Sequence, residues 1–151
     1  MKIERRIADD KKLGEKRDKS EIKYIVIQTI TNKPISHYHV VNGEAIQFIP
    51  DGNTSDSVNG GRLSSRGVLH GICTKYNSVS IGLSDNLTAE DLQTCIKLIM
   101  TIKQRYNINN ENVIRQMDIT GEPNPERWFN DDRWNKEIKY NLIETKKEVA
   151  E

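Results

Sequence analysis

The chain has 151 residues, of which 35% are hydrophobic and 6% aromatic, enough for one domain with a lean core. Its 23 Lys and Arg nearly balance 22 Asp and Glu, and the net charge of +1 gives no argument for nucleic acid or an anionic membrane as partner. Two widely spaced cysteines, Cys73 and Cys95, make no disulfide framework, and no apolar run approaches the roughly 18 residues that a membrane span needs.

In chain order, residues 1–23 are mixed in charge and weakly patterned, so a charged N-terminal segment is expected ahead of a single domain over residues 24–145. Residues 1–7 read as a short edge strand and residues 8–20 as a solvated loop or a frayed segment. No apolar stretch of the kind found in a secretory signal opens the chain, which implies a product that is cytoplasmic as synthesised. "YIVIQTI", residues 24–30, is a β-rich apolar run and reads as a buried central strand whose one polar interior residue is Gln28. In "HYHVVNGEAIQFIP" the Asn42-Gly43 pair sits between two β-type runs, the signature of a tight hairpin that needs positive φ at both residues. Residues 51–75 are rich in Gly, Ser and Asn and read as a long surface excursion. "SVSIGL", residues 78–83, is the next strand.

The clearest helix covers residues 88–106, with Thr88 as N-cap and Leu92, Cys95, Ile96, Ile99, Ile102 and Tyr106 on one face. Residues 113–119 read as a short strand. A last helix begins near Asp131 or Asp132 and buries Trp134, Ile138 and Leu142, while Trp128 and Trp134 anchor the C-terminal segment. The order β, ββ, β, α, β, α places the chain in the α/β class, with a mixed central β-sheet flanked by helices.

The stretch "IRQMDITGEPNP", residues 114–125, has the outline of a metal-site loop, yet it presents Gln116 and Asn124 where a His and a Cys would be usual. Together with "YIVIQT", "SHYHVVNGEAIQFIPD", "LHGICTKYNSVSIGL", "RYNINNENVIRQMDITGEPNPERWF" and "DDRWN", it resembles the type-2 N-acetylmuramoyl-L-alanine amidases. This is the family of zinc-dependent phage endolysins, to which animal peptidoglycan recognition proteins also belong. The resemblance runs from about Ile22 to Trp134. It implies the amidase fold, and it puts the family's three zinc ligands on Gln28, Gln116 and Asn124. The family's acidic residue after "SIG-x" falls on Ser84, a Lys or Thr position falls on Glu122, and the tyrosine of the "HY" segment falls on Tyr38. Between Ile30 and Ser36 the family has a long helical segment that walls the substrate groove, where this chain has only "TNKPI".

A catalytic zinc takes three protein ligands and an activated water, and imidazole and thiolate are the donors that hold it. Gln and Asn offer neutral carbonyl oxygens, better suited to hard ions, and three of them supply no charge to offset Zn²⁺. Zinc is therefore the family's cofactor but is expected to be absent here, and without it Tyr38 has no activated water to work with. The three amides are expected to hydrogen-bond one another across the old site.

An alternative metal set is His37, His39 and His70, since His37 and His39 share a face of an extended segment. Residues expected along a ligand groove are His39, Arg62 and Asn77, with Arg66 and Lys75 as further cations. The expected function is an amidase-like domain that has become a pseudoenzyme, keeping muropeptide binding or serving a protein partner. The alternatives are an active amidase that hydrolyses the MurNAc–L-Ala bond with an atypical metal set, and a purely structural module. For a chain without a secretory signal, contact with the cell wall would follow lysis or non-standard export.

Overall fold

The computed structural model describes residues 1–30, 34–59 and 66–143. Strand β2, Tyr24–Thr29, lies inside a six-stranded sheet, because its apolar residues are buried on both sides. It pairs in parallel with β5, Ser78–Leu83, and with β6, Val113–Arg115. On the far side of β5 comes β3, Tyr38–Val41, also parallel to it, followed by β4, Glu44–Gln47, and the edge strand β1, Ile3–Arg5. Among the described strands the β3–β4 hairpin is the one antiparallel pair. Its turn is the one predicted: Asn42 and Gly43 have φ of 52° and 74°, conformations open to Asn and Gly at little cost.

The two faces of the sheet differ in character. On the first, Ile25, Ile27, Val79, Ile81, Val40 and Tyr38 pack against helix α1, Ala89–Tyr106, and against the C-terminal helical segment carrying Trp134, Ile138 and Leu142. This is the main core, and each Leu or Ile fully buried there stabilises the fold by about 1.5–3 kcal/mol. The second face has a smaller apolar cluster, Val26, Val58, Cys73, Ile114 and Ile119. Beyond that cluster the second face turns polar, with Gln28 and His39 both registered against Gly82.

Helix α1 starts as expected. The Thr88 hydroxyl accepts from Asp91 N–H, and the Asp91 carboxylate accepts from Thr88 N–H, a complete capping box. Its buried residues include Leu98, which the periodic reading left off the apolar face. The last α-helix, α3, Asp131–Trp134, begins where predicted and is capped by Asn130, whose side-chain oxygen accepts from the N–H groups of Asp132 and Arg133.

Three expectations need correction. Residues 113–119 do not form one strand: β6 ends at Arg115, and a short helix, α2, Met117–Thr120, follows. The Asp118 carboxylate takes the Arg115 N–H at 2.9 Å, which turns the chain out of the sheet, and Gly121 closes α2 at φ 76°. Residues 8–20 are not merely a solvated loop, because the Arg17 guanidinium donates to the backbone oxygens of Asp51, Lys75 and Ser78 and pins the segment to the sheet. The 51–75 excursion is not all surface either: Asp51, Thr54, Ser55, Ser57, Val58 and Cys73 are buried. Among the described residues, no helix is long and apolar enough to cross a membrane.

Candidate functional site

In an open α/β sheet, ligands collect at the carboxyl ends of parallel strands. Here the end of β2 supplies Gln28 and Thr29, the turn after β6 supplies Gln116, and the loop behind α2 supplies Glu122, Pro123 and Asn124. With Ser57 from the 51–59 loop they line a cavity of about 230 Å³. Gln28 and Gln116, far apart in sequence, meet because β2 and β6 are neighbours: the Gln116 N–H continues their ladder onto Ile27 O at 2.9 Å.

The amides form a defined network. Gln28 Nε2 donates to Gln116 Oε1 at 3.0 Å, and both side-chain NH₂ groups donate to Ser57 O at 3.3 Å. A backbone carbonyl can only accept, so Ser57 O fixes which end of each glutamine is nitrogen. The Ser36 hydroxyl completes Gln28 by donating to its Oε1 at 2.6 Å. Asn124 does not join the pair: its Oδ1 accepts from Thr29 N–H at 2.8 Å, tying the loop to the end of β2. The expected cross-site bonding therefore holds for Gln28 and Gln116, while Asn124 lines the same cavity and bonds to backbone instead. The Asn124–Pro125 peptide is cis.

These residues do not suit zinc. The only ligating atoms the three amides own are their carbonyl oxygens, and all three already accept hydrogen bonds. Among the described residues, no three His, Cys, Asp or Glu side chains come together in a way that could hold a metal, so His37, His39 and His70 are not assembled as a set. His37 is committed elsewhere. Its Nδ1 accepts from Ser80 N–H at 3.1 Å, which leaves Nε2 to donate to Asn53 O at 2.8 Å. Burial, and then the nearby Arg17 cation, lower its pKa to about 4.

The other predicted positions are dispersed. Tyr38 is not at the cavity. One residue out of step with Gln28 across the sheet, it faces the main core, where its hydroxyl donates to Asp51 Oδ1 at 2.8 Å. Burial, reinforced by the Asp51 charge, raises its pKa beyond the ordinary phenol range. His39, next along the strand, is on the cavity's side of the sheet. It stacks on Phe48, with ring centroids 4.7 Å apart, and its buried Nε2 has no partner among the described residues. Burial lowers its pKa to about 4. It reaches the sheet surface because Gly82 has no side chain: a Cβ there would meet Ser36 Oγ at 3.0 Å and His39 Cδ2 at 3.1 Å.

Ser84 is exposed just past β5 and accepts from Asn86 N–H. Glu122 is at the cavity. Asn77 lies before β5, at the opposite end of the strands, where its side chain closes a turn through Thr74 N–H and Ile72 O. Arg62 falls outside the described residues. Arg66 is exposed, and Lys75 pairs with Asp56 at 3.1 Å on the surface.

Sequence reasoning missed Ser36 and Ser57, which orient the glutamines. No spacing or motif marks either of them, and Ser57 acts through its backbone. It also missed the Asp51 cluster on the other side of the sheet, where Tyr38, Tyr106 and Arg105 all donate to one carboxylate. Burial pushes the Asp51 pKa up, but the hydrogen bonds from Tyr106, Tyr38 and Arg105 together hold it below the usual carboxylate value.

No protein-family model and no curated protein matches the chain. Solved structures do. A mutant of PlyL aligns with a TM-score of 0.72 at 18% identity, covering 95% of this chain and 99% of that one. The PlyG catalytic domain aligns with a TM-score of 0.72 at 20% identity, covering 95% and 96%. The N-acetylmuramoyl-L-alanine amidase LysC from Clostridium intestinale URNW aligns with a TM-score of 0.64 at 13% identity, covering 94% and 99%. At these identities the likeness is one of fold, and it extends over nearly the whole of each chain: the mixed α/β architecture described above is that of the endolysin and amidase structures.

Proposed function

We propose that this chain is a non-hydrolytic domain built on the peptidoglycan-amidase fold, which binds wall fragments or a protein partner without cutting the MurNAc–L-Ala amide bond. The observation that carries this reading is the state of Gln28, Gln116 and Asn124. They line one cavity at the carboxyl end of β2, where the resemblance puts the metal ligands, and every carbonyl oxygen among them is engaged in a hydrogen bond. A hydrolase of this kind needs a cation to lower the pKa of its water and to polarise the scissile carbonyl. These three amide side chains offer such a cation neither charge nor open donor atoms, and Glu122 is the one carboxylate among the described lining residues. The fold likeness supports the wall-directed part of the reading, and the amide network supports the absence of turnover.

The test is direct. Protein purified without chelator should carry well under one equivalent of zinc by elemental analysis and should leave purified peptidoglycan intact. Gln28→His, Gln116→His and Asn124→Cys introduced together should bring zinc to about one equivalent. Cleavage of wall material by the unaltered chain, abolished by a chelator, would overturn the proposal.

A further inference from the structure

We propose that the cavity at the end of β2 is a receptor for the carbonyl oxygen of a neutral amide, held by the side-chain NH₂ groups of Gln116 and Asn124. The inference rests on the reading above, that this cavity works without a metal, and it names what the cavity takes instead.

The hydrogen-bond balance of the network carries it. Gln28 is fully used as a donor, with one N–H on Ser57 O and the other on Gln116 Oε1. Gln116 spends one N–H on Ser57 O and has a second. Asn124 is anchored through its oxygen by the Thr29 bond, and neither of its side-chain N–H groups is spent on a described residue. The network thus closes on its acceptors and ends, at the cavity, in donors. Such a site selects an oxygen that accepts.

Charge narrows the choice. Among the described residues the lining holds one carboxylate, Glu122, and no Lys, Arg or His, so an anionic group such as a carboxylate or phosphate is disfavoured. Size narrows it further. At about 230 Å³ the cavity is smaller than sites for whole drug-sized ligands, so it admits one group of a longer molecule. Pro34 and Pro123 add apolar walls with no N–H of their own to compete for the oxygen. A secondary amide, neutral and with a strong acceptor oxygen beside apolar substituents, meets all three conditions. It can come from an N-acetylated sugar or from a peptide bond.

The experiment titrates the ¹⁵N-labelled full chain, with EDTA present, against three probes: N-acetylglucosamine, N-acetyl-L-alanine N-methylamide, and glucose as the amide-free control. The side-chain NH₂ resonances of Gln116 and Asn124 are followed. Saturable shifts of both with either amide, and none with glucose, are expected; which amide binds more tightly identifies sugar or peptide as the source. Asn124→Asp keeps the oxygen that accepts from Thr29 N–H and deletes the donors, so it should retain the thermal midpoint while weakening amide binding at least tenfold.

Three results would each overturn the receptor: no shift with either amide, equal shifts with glucose, or unchanged affinity in Asn124→Asp. In a protein that is also metal-free and inert toward peptidoglycan, such results leave the non-hydrolytic reading standing. Metal-dependent wall cleavage would remove both.

Discussion

The Asp51 carboxylate is 7% exposed and receives hydrogen bonds from Tyr38, Tyr106 and Arg105, so its loss strands three donors at once. Arg105 is 40% exposed and can be rehydrated, so Asp51→Ala is expected to cost about 1–3 kcal/mol in urea unfolding, chiefly for the buried Tyr38 hydroxyl left without its acceptor. Tyr38→Phe removes one hydroxyl from this cluster and should cost only about 1 kcal/mol. Because Tyr38 faces the core, that variant should leave the Gln116 and Asn124 resonances unmoved, whereas a tyrosine acting at the cavity would shift them. A second residue-level expectation concerns pH. His37 and His39 both have pKa values lowered to about 4 from an ordinary 6.5. Between those values the unfolded chain takes up protons that the folded chain refuses. Stability should therefore be full above pH 6.5 and fall as the pH drops toward 4, by at most about 3 kcal/mol per imidazole. His37→Gln should flatten part of that slope, as measured by thermal midpoints across the same window.

At the scale of elements, α1 is the piece whose bounds and cap agree best with its sequence, although its buried face centres on Leu98 rather than Leu92 or Ile96, and its energetics follow from that packing. Thr88→Ala removes the capping box and should cost about 1 kcal/mol. Leu98→Ala opens a void against the sheet at a fully buried position and should cost about 2–5 kcal/mol. Urea midpoints separate the two, and a Leu98 cost as small as that of Thr88 would mean that the helix packs loosely. The region after β6 was the least legible. Residues 113–119 contain "VIRQMDI", which suits a strand by composition. The turn into α2 depends on Asp118 reaching back to the Arg115 N–H and on Arg115 binding both Asp118 and the Trp128 carbonyl. A polar residue three places along gives that away only once the sheet ends there.

At the scale of the whole molecule, the N-terminal segment is held by backbone hydrogen bonds of residues 14–17 to residues 52–54 and by one side chain that reaches further. Arg17 crosses from the surface to three backbone oxygens, on Asp51, Lys75 and Ser78, and so joins the segment to the loop before the cavity and to the start of β5. Arg17→Met preserves the aliphatic stem but leaves those carbonyls without their donor. Limited proteolysis should then cut within residues 8–20 at least tenfold faster than in the unaltered chain. An unchanged cutting rate would show that β1 pairing and the backbone bonds of residues 14–17 hold the segment without the guanidinium.

The sequence by itself determined the elements whose signals are local: the apolar run of β2, the Asn42-Gly43 hairpin, the capped and periodic α1, and the start of the last helix near Asp131. It also marked Gln28, Gln116 and Asn124 as a group, through the resemblance that puts the amidase family's metal ligands on those positions. Only the tertiary structure decided what those side chains do. Parallel pairing of β2 with β6 brings Gln28 to Gln116, and the sheet's two-residue alternation sends Tyr38 to the core and His39 to the other side. Hydrogen-bond direction is set by Ser57, Ser36 and Thr29, through backbone atoms and a hydroxyl that no motif encodes. Local propensity specifies where a chain bends and pairs. Which donors remain open depends on partners far away in sequence, and that is settled by packing.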